Sequence, residues 1–426
     1  MKNLTLKYVA VSIFLFFPMA IYAAKPSRQI VSDRISRLVE HMGLNPIRKM
    51  DSTTVLNLAI GLPLRNLQGL HNLIQQLYDP TSPNYRHFLT PHQFTHEFGP
   101  TKQDYQELVA FARSNGFKMT RTYSNRMLVD VSAPVAIVDK AFNIHMMMYK
   151  HPAQNRLFYA PDVQPSVNLG IPLAAIGGLS NYVEPRPIDL IDNTTTPVNT
   201  PLTGSGPSDV GNPYMGRDFR AAYIPGVADS GRGQKVGQVQ FSDFNTSDIT
   251  YDSLPNVPLE RVYPDGGEGT FGTSSETCLD IEMAISMAPG LDSVIEYIGE
   301  NPDDILAAMA ADSSVRQLSS SWTYPVDGNA ENLFLRFQAQ GQTFFTASGD
   351  WDAIPPPGTS PNPCSDPNIT TVGGTTLSTT GPEGAYVSEN VWNWGVEKGS
   401  SYDGQAAVSG GMNPKPSGKH CEVLDT

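Results

Sequence analysis

Histidine is almost missing from the second half of this 426-residue chain: seven of its eight histidines lie between His41 and His151, and only His420 follows. A serine or cysteine nucleophile in that half has no nearby imidazole to act as its base, and a zinc site is equally short of ligands. Cysteine is sparse too. Cys278, Cys364 and Cys421 make neither a disulfide framework nor a spaced metal motif. One pair is able to bridge in an oxidising compartment, and the spacing does not choose which. Basic charge is in deficit, with 29 Lys and Arg against 42 Asp and Glu and a net charge of −13. That balance argues against nucleic acid or an anionic membrane as a partner.

Long apolar runs are absent as well, with one exception at the N-terminus. "MKNLTLKYVAVSIFLFFPMAIYAAKPS" carries Lys2 and Lys7, an apolar stretch over 9–17, and then Ala20, Ala23 and Ala24. The stretch is short for a membrane span. It reads as a secretory signal over 1–23, cleaved after Ala23 or Ala24; an uncleaved anchor is the alternative. The mature protein is expected to be soluble and secreted, with no membrane partner once the signal is removed.

What is present is enough apolar sequence, 40%, to fill the cores of two domains. Residues 26–190 form the first. Leu67, Leu70, Leu73, Ile74 and Leu77 predict a helix over 64–78, and 101–115 predicts another that ends at Gly116. "MLVDVSAPVAIVDKAFNI" reads as a strand, a turn and a helix. The expectation is a compact α+β domain. Residues 191–213, rich in Thr, Pro, Gly and Ser, are a linker and a natural place for proteolysis. Residues 214–426 form the second domain, where short apolar strands alternate with helices. Strands are expected at 235–241, 293–299, 314–322, 342–350 and 368–377, and helices at 274–288, 303–312 and 329–340. This rhythm predicts a parallel, doubly wound α/β sheet.

With histidine scarce, acid–base chemistry in the second domain falls to carboxylates. In "SSETCLDIEMAISMAPG", Glu276 and Asp280 stand one helical turn apart, on the face of Met283, Ala284 and Met287. Two like charges in apolar surroundings raise the pKa of at least one, and such a pair is able to share a proton. The structural alternative is a capping box, Thr273-Ser-Ser-Glu276, with acids suiting the helix N-terminus. "TASGD" places Asp350 just after a strand, where a protonated carboxyl is able to donate to an oxyanion and where a plain turn is the alternative. "GTS" occurs at 272–274 and 358–360, "GGT" at 373–375 and "SGG" at 409–411, each readable as a turn. Asn193, Asn245 and Asn368 head glycosylation sequons.

Taken together and in order, these segments resemble the sedolisin (kumamolisin) family of serine-carboxyl peptidases. "LYDPTSPNYRHFLTPHQFTHEFGPT" is similar to the hallmark of its activation prodomain, and "GRDFRAAYIPG" to the start of its mature enzyme. "ETCLDIEMAISMAPG" and "TASGD" are similar to its Glu-x-x-x-Asp helix and oxyanion-hole turn, and "CSDPNITTVGGT" and "ENVWNWG" to later segments. The resemblance implies a subtilisin-like doubly wound sheet behind a ferredoxin-like prodomain. It implies a secreted, acid-acting serine-type endopeptidase precursor acting on proteins or peptides. Glu276 would be the general base, Asp280 its orienter, and protonated Asp350 the stabiliser of the tetrahedral intermediate. The prodomain would be an intramolecular partner, loosened by acid before the linker is cut. The family's nucleophile lies in a Gly-Thr-Ser turn after the "SGG" segment, and its calcium loop later still; "MNPKPSGKHCEVLDT" resembles neither. No nucleophilic serine and no calcium ligand is therefore assigned, the sheet is expected to be incomplete at its C-terminal side, and the chain is expected to be a truncated, inactive form. The alternative is a non-catalytic pseudo-peptidase that binds peptides or a partner peptidase through its prodomain.

Overall fold

A computed structural model describes residues 28–152, 154–187, 214, 216–227, 230–249, 256–271, 274–348, 363–391, 393–396 and 406–408. The signal segment, the linker, the capping residue Thr273, Asp350, the 358–360 and 409–411 turns, His420 and Cys421 lie outside the described residues.

In the N-terminal unit, strand Val55–Gly61 pairs antiparallel with Leu128–Pro134, which pairs with Lys118–Thr122, while Ile176–Gly177 closes the other side. Helices Lys102–Ser114 and Val135–Phe142 connect these strands in the order β-α-β-β-α-β. The spatial order is second, third, first, fourth, which is the ferredoxin-like arrangement. Alternation along the strands sets the two faces. Leu56, Leu58, Ile60, Val129, Val131 and Ala133 bury against Leu108, Phe111, Val138 and Phe142 of the helices. Ala59, Gly61, Leu128 and Asp130 point the other way. Thr101 caps its helix by accepting from the Asp104 amide, and Pro134 ends a strand and caps the next helix directly, with no turn between.

The C-terminal unit is built on six strands, all parallel, in the spatial order Leu259–Val262, Ser293–Ile298, Lys235–Gln240, Gln317–Ser320, Thr343–Ala347, Thr370–Val372. Helix Ser274–Met287 covers one face through Ile281 and Ile285 on Val294 and Ile298. Helices Pro302–Ala311 and Gly328–Gln340 cover the other through a larger core that includes Leu306, Leu333, Phe334 and Phe344. This is the doubly wound sheet expected of a subtilisin-like fold. The central strand Lys235–Gln240 is flanked by the third and fourth strands in sequence. The order therefore reverses at its carboxyl end, which is where crevices form in such sheets.

The outer face of the N-terminal sheet packs on the last two of those helices. Leu128, Met127, Phe94 and Leu70 join the same core as Leu333 and Phe337. The approach is close because Gly61 has no side chain: a Cβ there would lie 1.7 Å from Asn329 Oδ1. Asn329 is buried and held in place, its Nδ2 donating to Asp303 Oδ2 (2.9 Å) and to the Ala59 carbonyl (3.3 Å). Gly61→Ala is therefore expected to destabilise the chain by about 1–2 kcal/mol through overpacking. The measurement is the urea midpoint at unchanged m-value; an unmoved midpoint would mean that Asn329 swings aside freely.

Candidate functional site

The site starts from the two buried amides of "QVQ" at the end of the central strand. Gln238 and Gln240 alternate onto the face that meets helix Ser274–Met287, and Gln240 is fully buried. Trp322 Nε1, a donor only, points at Gln240 Oε1 at 2.8 Å. That fixes the amide, so Gln240 Nε2 donates to Asp280 Oδ2 at 3.0 Å. Ser321 Oγ donates to Asp280 Oδ1 at 2.6 Å, and Gln238 Nε2 donates to the Asp280 carbonyl at 3.0 Å. Thr277 Oγ1 lies 3.1 Å from Gln240 Oε1 and 2.9 Å from the Ser242 carbonyl. Asp280 is thus gripped by two side chains of strand Lys235–Gln240 and by Ser321, just beyond the neighbouring strand Gln317–Ser320.

Two influences oppose each other at Asp280. Burial raises its pKa to about 6, and the bonds from Ser321 and Gln240 hold it below what burial alone would give. Glu276, one turn earlier, is 7% exposed. The helix therefore presents both acids at one edge of its contact with the sheet. Its most buried stripe is Thr277, Ile281 and Ile285, while Met283, Ala284 and Met287 are half-buried. The deep core thus lies beside the face of the acids, because the branched side chains of Ile281 and Ile285 fill the space above Val294 and Ile298.

A third acid stands behind these two. Glu296, on strand Ser293–Ile298, is fully buried with neither carboxyl oxygen hydrogen-bonded. Burial, then the neighbouring charge of Asp280, push its pKa well above the usual carboxylate range. Sequence reasoning passed over Glu296, Gln240, Ser321 and Trp322. The available signal was polar residues at inward positions of otherwise apolar strands, "QVQ" and "VIEYI".

Strand Thr343–Ala347, which leads toward Asp350, lies next to the strand that leads to Ser321. On its other side it pairs with Thr370–Val372, and Ser348 continues that second pairing, its amide donating to the Val372 carbonyl at 2.8 Å. Asp280 and these strand ends thus lie together at the carboxyl side of the sheet. Cys278 is half-buried and Cys364 buried. Among the described residues, no three His, Cys, Asp or Glu side chains are placed to hold a metal ion. Nor is any described helix long and apolar enough to cross a membrane.

The pro-kumamolisin activation domain matches residues 43–181. Sedolisin of Pseudomonas sp. (strain 101) is 25% identical over 401 residues, a match covering 84% of this chain and 66% of sedolisin. Xanthomonalisin of Xanthomonas sp. (strain T-22) is 25% identical over 82% of this chain and 48% of its own length. The chain thus carries a pro-kumamolisin activation domain and is similar over most of its length to sedolisin-family peptidases. It spans two thirds or less of these two sedolisin-family relatives. A solved structure of Pseudomonas sedolisin, a serine-carboxyl proteinase complexed with two molecules of pseudo-iodotyrostatin, is 21% identical with a TM-score of 0.38, over 46% of this chain and 62% of that one. Homology to sedolisin-family serine-carboxyl peptidases thus joins the prodomain and the carboxyl-bearing sheet in one chain.

Proposed function

We propose that this chain is the precursor form of a secreted, acid-acting serine-type endopeptidase, with proteins or peptides as substrates. The observation that supports it best is the gripped carboxyl of Asp280, one helical turn from buried Glu276, in a unit whose described residues include no histidine. Glu276 is the general base to a serine hydroxyl. Asp280, whose pKa burial raises to about 6, orients and charge-balances Glu276. Asp350, protonated, donates to the oxyanion of the tetrahedral intermediate. Residues 26–190 act as the activation prodomain and 191–213 as the segment that is cut.

No serine in residues 1–426 is assigned as the nucleophile, so this polypeptide on its own is expected not to hydrolyse peptides. The test is incubation of purified chain with a peptide library from pH 3 to 7, read by mass spectrometry. Cleavage at acid pH that Glu276→Ala abolishes would overturn the expected inactivity. The precursor reading itself is tested in the DNA following the codon for Thr426. An in-frame or one-base-shifted Gly-Thr-Ser segment supports it, and its absence favours a peptide-binding protein without catalysis.

A further inference from the structure

Among the described histidines, His151 alone is buried, at 7% exposure. It directly follows strand Met146–Lys150. Its Nδ1 accepts from the Gln154 amide at 3.0 Å, so the ring is neutral and carries its proton on Nε2. The ring stacks on Tyr182 with centroids 4.6 Å apart and meets Phe158 edge-on at 5.9 Å. Arg156, whose carbonyl accepts from the His151 amide at 3.0 Å, holds the same segment. Its Nη1 donates to the Asn181 carbonyl at 2.9 Å and its Nη2 to the Tyr182 carbonyl at 2.5 Å. From Tyr182 the chain runs to Arg186–Pro187, which pairs antiparallel with Trp322–Thr323 of the C-terminal unit. Trp322 and Ser321 belong to the network around Asp280. The His151 turn thus anchors one end of the segment that leads to the linker, and the strand beside that network holds the other.

We propose that His151 is an acid-sensing tether: a proton on its ring frees segment 181–187, which joins the N-terminal unit to the linker.

An imidazolium has two N–H donors and no acceptor. A proton on Nδ1 sets two donors face to face where the Gln154 amide had its bond, and it adds a positive charge beside the Arg156 guanidinium. Burial, then the charge of Arg156, pull the ring's pKa down to about 4; Arg186 acts the same way, and a bond with the Tyr182 backbone offsets them only in part. Glu184 pairs with Arg156 at 3.2 Å and accepts from Asn181 Nδ2 at 3.3 Å, so it supports the same anchor. On the strands, Lys150 is exposed, and burial raises the pKa of Tyr149 and Tyr159, which stay neutral phenols. Helix Arg34–His41 packs on this cluster through Ile35, Leu38 and Val39, with Arg34, Arg37, Glu40 and His41 exposed.

The sign follows from linkage. A histidine whose pKa is depressed in the closed state contributes full stability above its free value near 6.5, and loses it as pH falls toward the closed value of about 4. Opening of the segment therefore becomes up to about tenfold more frequent for each pH unit across that window. Acid loosens this end of the N-terminal unit, in the direction that the family resemblance implies for the prodomain. As a trigger for activation the tether rests on the precursor reading; as a titrating contact it involves no catalytic step, and amide exchange reads it whether or not the chain hydrolyses peptides.

The test is hydrogen–deuterium exchange of the intact chain at pH 7 and pH 5, corrected for intrinsic exchange. Peptides over 180–187 are read against helix Lys102–Ser114, which packs in the separate core of Leu108 and Phe111. In the wild type the opening constant of 180–187 is expected to rise about twentyfold from pH 7 to pH 5, the value for one group with a pKa near 6.5 when open and about 4 when closed. The helix is expected to change by less than about threefold. His151→Asn keeps an acceptor for the Gln154 amide and His151→Phe keeps the stack on Tyr182, and neither side chain titrates. Each variant is expected to lose more than half of the rise on a logarithmic scale; if one fails to fold, the other decides. A wild-type rise below about fivefold, an equal rise in the helix, or more than half of the rise kept in the variants that fold overturns the tether.

Discussion

Gln240→Leu is expected to lower the stability of the chain by about 3 kcal/mol or more, far beyond the loss of one average hydrogen bond. Gln240 is fully buried and lies between Trp322 Nε1 and Asp280 Oδ2. Leucine has similar size and no polar atom, so both partners lose their only neighbour on that side. Each buried orphan costs about 1–3 kcal/mol; Thr277 is spared, because the Ser242 carbonyl remains within 2.9 Å. Gln240→Glu separates geometry from charge. Below about pH 4 a neutral glutamic acid accepts from Trp322 and donates to Asp280, and the loss should stay under about 1 kcal/mol. As pH rises, the new group must either stay protonated against solution or place a second negative charge beside Asp280. Its pKa is raised in the folded state, so stability present in acid is lost toward neutrality. Urea unfolding at pH 4 and pH 7 gives both numbers. A Leu variant within 1 kcal/mol of wild type, or a Glu variant indifferent to pH, would show that the network does not bear on the fold.

Arg336→Met is expected to stabilise the chain by about 2–4 kcal/mol. Arg336 is 1% exposed on helix Gly328–Gln340, where the N-terminal unit packs down. Its Nε donates to Gln340 Oε1 at 3.1 Å, and its guanidinium carbon sits 5.7 Å from the centre of the Phe94 ring. No carboxylate pairs with it among the described residues, and burial pulls its pKa down to about 10. A buried ion without a counter-ion costs several kcal/mol, and an apolar side chain of similar volume removes that cost. Orphaning Gln340 Oε1 offsets part of the gain. The guanidinium stays charged throughout pH 4–8, so the gain should be the same across that range. A thermal midpoint lower than wild type would mean that the contacts to Gln340 and Phe94 outweigh desolvation.

Sequence periodicity located most elements because their signals are local. The helix expected at 329–340 runs Gly328–Gln340 and stops where Gly341 adopts a positive φ of 68°. The strand expected at 368–377 is two: Thr370–Val372 joins the parallel sheet, and after Gly373 and Gly374 the chain leaves to form Thr375–Thr379, which pairs with Tyr386–Val391. Strand Leu259–Val262 escaped notice because "LERV" sets two charges between two aliphatics at the edge of the sheet, without an apolar run. The site was legible in the same partial way. The spacing of Glu276 and Asp280 is a helical pattern. The grip on Asp280 comes from Gln240 and Ser321, 40 and 41 residues away, and nothing local announces such contacts.

The two-faced strand Val55–Gly61 has a consequence for genetics. Leu56, Leu58 and Ile60 hold the N-terminal unit together, whereas Ala59 and Gly61 meet the other unit. Substitutions at even positions should leave cells with less protein, since an unfolded segment is degraded. Those at 59 and 61 should leave normal amounts of protein whose two halves separate too readily. A saturation library scored once for abundance and once for association would then show two phenotypes alternating residue by residue from codon 58 to codon 61.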